Sequence, residues 1–172
     1  DYENRYPVDQ AFFESTENTR AYTSELSSSQ MNYINSYDNS VLYTDYVLGD
    51  VIDELKSKAE IAGLTFWADH GEEIFDSKDF KGHGPDGVTK NMLEVPFVFW
   101  RNQAYKSEFS EIDETLKKHL QAPAMLDDFF HIAQCMIPVK TDLMIKERSF
   151  CLDNYQVKPR IVYGKDYDKG LK

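Results

Sequence analysis

Two short runs hold the residue types that do chemistry: Asp69-His70-Gly71-Glu72 and Gly82-His83-Gly84. A carboxylate oxygen and a neutral imidazole nitrogen are good ligands for Zn²⁺ or Mn²⁺. Neighbouring residues of a regular strand point to opposite faces, so Asp69 and His70 can share one ion only where the backbone turns. Gly71 is the residue that permits such a turn. The glycines flanking His83 let the backbone come close to an anion. On this reading Asp69, His70 and His83 are three polar groups of one loop system that together hold a metal and an oxyanion. The plain alternatives are a turn-forming Asp69 and an exposed loop histidine at 83. Two side chains do not complete a tetrahedral site, so further ligands must come from elsewhere.

The elements around these runs follow from hydrophobic spacing. Ser27 followed by Gln30 fits a capping box and predicts a helix start there. Met31, Ile34, Val41, Leu42, Leu48, Val51, Ile52, Leu55 and Ala59 then recur at helical spacings, which predicts one long helix with a single buried stripe and with Gly63 just past its end. Asp38 and Asp45 lie one heptad apart on it, with a structural role as the simpler reading. Glu14–Gln30, rich in Ser, Thr, Glu and Asn, reads as a surface loop or a short irregular helix. Leu64-Thr65-Phe66-Trp67 has the composition of a buried strand and runs straight into Asp69. A second such strand is predicted at Val95–Trp100, helical spacing at Ile112, Leu116 and Leu120 and again over Met125–Met136, and a short strand at Arg160–Tyr163. Apolar strands alternating with amphipathic helices imply an α/β fold, a mostly parallel sheet covered by helices on both faces. Ligands of such sheets sit beyond the carboxyl ends of the strands, where Asp69 and His70 fall. The stretch from Asp69 to Glu94 is too long for a routine connection and reads as a functional loop.

Composition narrows the partners. The chain has 172 residues, with 19 Lys and Arg against 30 Asp and Glu, a net charge of −11. Such a surface repels phosphate backbones, which argues against nucleic acid. No apolar run approaches the roughly 20 residues of a membrane-spanning helix. Cys135 and Cys151 read either as two buried thiols acting as small hydrophobes or as a pair. Glu72 and Glu73 would either orient His70 from behind or simply face water. His119 and His131 fall in helical stretches as packed or boundary histidines. Lys81 and Lys90 would attract an anionic headgroup or serve solubility.

A wider set of segments carries a resemblance. Tyr37-Asp38-Asn39-Ser40-Val41-Leu42-Tyr43-Thr44-Asp45-Tyr46, Ala68-Asp69-His70-Gly71-Glu72, Gly82-His83-Gly84 and Val95-Pro96-Phe97 together resemble the sulfatase-like branch of the alkaline phosphatase superfamily. Within that branch they are most similar to phosphoethanolamine transferases, inner-membrane enzymes whose catalytic domain lies in the periplasm. Asn4-Arg5-Tyr6-Pro7 and Arg148-Ser149-Phe150 are similar to segments of the same family.

The resemblance implies that residues 1–172 are the C-terminal portion of a single sulfatase-like catalytic domain. Asp69 and His70 match adjacent zinc ligands, and His83 matches a histidine that contacts the transferred phosphate group or a second zinc. The remaining acidic ligand, the threonine nucleophile and another phosphate-facing histidine are expected upstream of Asp1, as are the membrane helices. The implied reaction moves phosphoethanolamine from phosphatidylethanolamine to a lipopolysaccharide or other glycan acceptor through a covalent threonine intermediate. The competing expectations are a sulfuric or phosphoric ester hydrolase of the same superfamily and a noncatalytic module with a degenerate site. By itself the chain is expected to be inactive and to hold zinc weakly.

Overall fold

The structure, a computed structural model, describes residues 2–15, 21–23, 25–58, 60–139 and 141–171. The chain divides into two compact units, one of Asp1–Ala59 with Leu64–Val98 and one of Glu60–Gly63 with Phe99–Lys172. Strands β1 (Gly63–Trp67) and β4 (Phe97–Arg101) form one two-stranded sheet. β2 (Glu73–Ile74) pairs antiparallel with β3 (Lys81–Gly82), and β5 (Ile161–Val162) with β6 (Lys165–Asp166). Both apolar strands are therefore present where their composition placed them, β4 beginning one residue beyond Pro96. Among the described residues the sheets are these three pairs, two of them antiparallel hairpins.

In the first unit, α1 spans Ser28–Lys58. The capping box forms as the sequence predicts. Ser27 N–H donates to Gln30 Oε1 at 2.8 Å and Gln30 N–H donates to Ser27 Oγ at 3.3 Å, which satisfies two of the amides that a helix start leaves open. The predicted stripe is buried only at its beginning. Met31 and Ile34 join Phe75 in a core cluster with Leu26 and Tyr33 packed on it, whereas Leu48, Ile52 and Leu55 are half-buried and Val41, Leu42 and Val51 exposed. Ala59, the last position of that stripe, lies outside the described residues. Gly63 does not end the helix but opens β1.

The expected long loop from Asp69 to Glu94 is present, interrupted by short regular pieces. β2 and β3 make a small hairpin, closed by Phe75 N–H donating to Phe80 O at 3.1 Å, and a 3-10 turn follows at Lys90–Met92. The hairpin is docked on the start of α1. Phe75 packs into the core and meets the Tyr33 ring edge-on at 6.2 Å, the Lys81 ammonium sits 4.2 Å from the Tyr33 ring centroid, and Gln30 Nε2 donates to Asp79 Oδ1 at 3.0 Å.

The second unit holds α2 (Gln103–Glu108), α3 (Ser110–Lys118), α4 (Phe129–Met136) and α5 (Tyr167–Gly170). The predicted helical stretches are thus present, with Leu120 exposed beyond the end of α3 and a 3-10 turn at Leu126–Asp128 leading into α4. Cys135 and Cys151 are joined by a disulfide across a sequence separation of 16, which replaces the reading as two free buried thiols. Asp128 is buried and ion-paired with Arg148 and Lys158. His131 is buried and accepts a hydrogen bond from Ile145 N–H at 3.2 Å, and His119 Nδ1–H donates to Phe150 O at 2.6 Å; both are packing histidines, as their setting implied. Among the described residues no helix is long and apolar enough to cross a membrane.

Candidate metal centre

The site is built where β1 ends and the hairpin begins, inside the first unit. β1 delivers the chain to Asp69 and His70. Gly71 follows because nothing larger fits: a Cβ there would stand 2.0 Å from Asn91 O and 2.9 Å from Glu94 O, and Gly71 N–H donates to Met92 O at 2.9 Å. This close approach of two backbones requires the glycine, a reason additional to the turn assigned to it from sequence.

The hairpin register then decides what faces what. Glu73 lies opposite Gly82 and Ile74 opposite Lys81, so the next pair outward is Glu72 and His83. Cross-strand neighbours of this kind lie within side-chain reach, and His83 Nδ1 is 2.9 Å from Glu72 Oε1. Gly82, at φ +108°, supplies the backbone conformation that lets His83 leave the ladder there. Because alternate residues of a strand face opposite ways, Glu73 points away from the histidines. It is fully buried, accepting hydrogen bonds from Ser77 N–H and Ser77 Oγ–H (both 2.7 Å), Thr89 Oγ1–H (2.8 Å) and Asn91 Nδ2–H (3.3 Å). Neither glutamate therefore does what sequence suggested: Glu72 serves His83 rather than His70, and Glu73 does not face water.

His70 completes the group. Its ring lies on that of His83, centroids 3.6 Å apart at an interplanar angle of 35°. Nδ1–H of His70 donates to Gly71 O at 3.0 Å, which leaves Nε2 free as a ligand atom. The ligand atoms of His70, Glu72 and His83 all lie within 4.8 Å of one another. Asp69 stands at the rim with its side chain 88% exposed, against 39% for His70, 50% for His83 and 15% for Glu72. Its Oδ1 is 3.8 Å from His70 Nε2. Zinc lies about 2.0–2.2 Å from imidazole nitrogen and carboxylate oxygen, so two ligands of one ion stand no more than roughly 4.2 Å apart. The Asp69–His70 pair meets that condition, and its donor chemistry suits zinc.

Behind the histidines, Tyr2 faces the Glu72 carboxylate. Burial, then the charge of Glu72, push the Tyr2 phenol above the ordinary tyrosine range. The Tyr2 ring meets Tyr33 and Tyr37 of α1 edge-on at 5.5 and 5.0 Å. Sequence reading missed both Tyr2 and the Glu72–His83 pairing. The one trace was the polar run Asp76-Ser77-Lys78-Asp79 between Phe75 and Phe80, a turn signal for the hairpin.

The sequence pattern of the Sulfatase family matches residues 1–133. The chain belongs to the sulfatase family. Its relatives lie in the phosphoethanolamine-transferase branch of that family. Phosphoethanolamine transferase EptC of Escherichia coli O18:K1:H7 is 32% identical over 108 residues, 62% of this chain and 18% of the relative. Kdo(2)-lipid A phosphoethanolamine 7''-transferase of E. coli K12 is 36% identical over 72 residues, 42% of this chain and 12% of the relative. The crystal structure of the C-terminal periplasmic domain of E. coli EptC superposes with a TM-score of 0.86 at 24% identity, over 98% of this chain and 49% of that one. The same domain in complex with Zn superposes at 0.84 and 23% identity, over 98% of this chain and 48% of that one. This sulfatase-family chain therefore folds as about half of such a domain and spans less than a fifth of the length of these two curated relatives.

Proposed function

We propose that the intact protein is a zinc-dependent phosphoethanolamine transferase, moving phosphoethanolamine from phosphatidylethanolamine to lipid A or another lipopolysaccharide acceptor. The observation that carries this is the meeting of the His70 and His83 rings just past the end of β1, with the Asp69 carboxylate beside His70 at the rim, in a chain whose relatives bear transferase names. Those names favour transfer over ester hydrolysis. The two units belong to one catalytic domain on this reading, and β1 and β4 to a larger, mostly parallel sheet completed by the rest of the protein.

Asp69 and His70 would hold the zinc, with an acidic residue and a threonine expected upstream as the other ligand and the nucleophile; the zinc-complexed neighbour is consistent with that assignment. Bound there, zinc supplies Lewis-acid charge stabilisation and favours ionisation of a hydroxyl nucleophile. The chain's own contribution is positional. His70 is oriented by its Nδ1–H bond to Gly71 O, so Nε2 alone is presented as ligand. His83 presents Nε2 to the non-bridging phosphoryl oxygens, or delivers a proton to the departing oxygen, a role worth about 10²–10⁴-fold. Threonine attack would release diacylglycerol, and the acceptor hydroxyl or phosphate would then take the phosphoethanolamine group and free the threonine. We place this domain in the periplasm, anchored to the inner membrane by helices outside this chain; the Cys135–Cys151 disulfide suits an oxidising compartment.

Asp69→Ala in the intact protein tests the assignment. Transfer to a lipopolysaccharide acceptor, followed by mass spectrometry, should be abolished, zinc content should fall, and the circular dichroism spectrum should be unchanged because Asp69 is exposed. Undiminished transfer would remove Asp69 from the site.

A further inference from the structure

We propose that Glu72 is the positioning residue of His83, holding its imidazole so that Nδ1 is occupied and Nε2 is the atom that meets the transferred phosphoryl group. The inference rests on the reading above that His83 faces that group, and it goes further by naming what orients it.

Three independent features of the fold converge on this role. Glu72 and His83 each stand one residue beyond the last paired positions of the hairpin, Glu73 opposite Gly82, so the two short strands deliver them side by side. The bond itself is well formed, Nδ1–H of His83 donating to Glu72 Oε1 at 2.9 Å. The carboxylate is also walled in. Its Oε2 is buried with no hydrogen-bond partner, and the Tyr2 hydroxyl faces the group from the side of α1. A carboxylate enclosed on that side is restrained, and its bond restrains the His83 ring. Half-exposed His83 would otherwise rotate about its side-chain bonds and spend part of its time with either nitrogen forward. In the imidazolium form both nitrogens carry a proton, and committing Nδ1–H to Glu72 leaves Nε2–H as the donor for a phosphoryl oxygen or the proton for the departing one. The same geometry offers the rival role of metal ligand, since Glu72, His70 and His83 bring their donors within 4.8 Å of one another. The two roles differ in what removing the carboxylate does to bound metal.

The test uses the intact protein and reads kinetics and zinc content side by side. Glu72→Ala should lower kcat for phosphoethanolamine transfer about 10–100-fold while KM stays within about twofold, the size typical of removing a group that orients another. Zinc content by atomic absorption should equal the parent's. Glu72→Gln, whose Oε1 still accepts the Nδ1–H bond, should keep kcat within about tenfold of the parent. Glu72→Ala combined with His83→Ala should cost no more than His83→Ala, because a residue that acts through His83 then has nothing left to orient. Loss of zinc in Glu72→Ala, or additive costs in the double variant, overturns the proposal. If Glu72→Ala does not fold, Glu72→Gln carries the test: parent zinc with activity as low as that of His83→Ala overturns it. Full activity in His83→Ala would instead overturn the reading of His83 on which the proposal stands.

Discussion

A carboxylate with no exposed surface must find inside the fold what water would have given it. Glu73 finds it in Ser77, Thr89 and Asn91, none of them charged. Burial alone would raise its pKa; the hydrogen bonds from Ser77, Thr89 and Asn91 outweigh burial and hold the carboxyl below the usual glutamate range. A folded-state pKa that is depressed contributes stability above the unfolded-state value and loses it as pH falls through the folded value. Urea denaturation should therefore show stability falling below about pH 4, and Glu73→Gln should flatten that part of the profile. Glu73→Ala, which strips several buried donors of their acceptor at about 1–3 kcal/mol each, should cost at least about 2 kcal/mol at neutral pH. Asp69 is the opposite case. Its exposed side chain accepts only a local bond from His70 N–H, so its substitution should leave the fold intact while testing the proposed role. Residue types marked both positions as worth attention. Which glutamate faces the histidines and which faces the core was not legible, because Glu72 and Glu73 are chemically identical and only strand alternation tells them apart.

At the scale of elements, legibility followed length. α1 was readable from its capping box and apolar spacing, because a helix of 31 residues repeats its pattern many times. β2 and β3, two residues each, have no room for a period, and so the hairpin that carries His83 read as loop. Its position depends on pairing between residues about ten apart and on docking against Met31, Ile34 and Tyr33. The disulfide is a similar case in the second unit, since two cysteines in a sequence do not say how near their backbones come; here their Cα atoms are 6.3 Å apart. Closing a loop of this size contributes about 3 kcal/mol in the chain-entropy model. Reduction with dithiothreitol should lower stability by about that amount, and Cys135→Ser should reproduce the loss without reductant; an unchanged urea midpoint in both would show that the bridge adds nothing to the fold.

For the whole molecule the governing fact is that the chain matches about half of a solved periplasmic domain. Zinc ordinarily takes four ligands, and on the proposed assignment Asp69 with His70 would supply two, so the 172-residue chain should bind zinc more weakly than micromolar and show no transfer. Isothermal titration calorimetry checks this; a submicromolar constant would mean that Glu72 and His83 complete a site of their own. Chemical identity and local order were written in the sequence: the Asp69-His70 and Gly82-His83-Gly84 runs, the start of α1, both apolar strands, and enough family pattern over residues 1–133 to place the chain among sulfatases. Such features depend on residue type and on neighbours a few positions away. The contact of Glu72 with His83, the close approach of the His70 and His83 rings, the burial of Glu73 and the closure of Cys135 on Cys151 depended on the fold, because each is a distance between groups that only tertiary packing brings together.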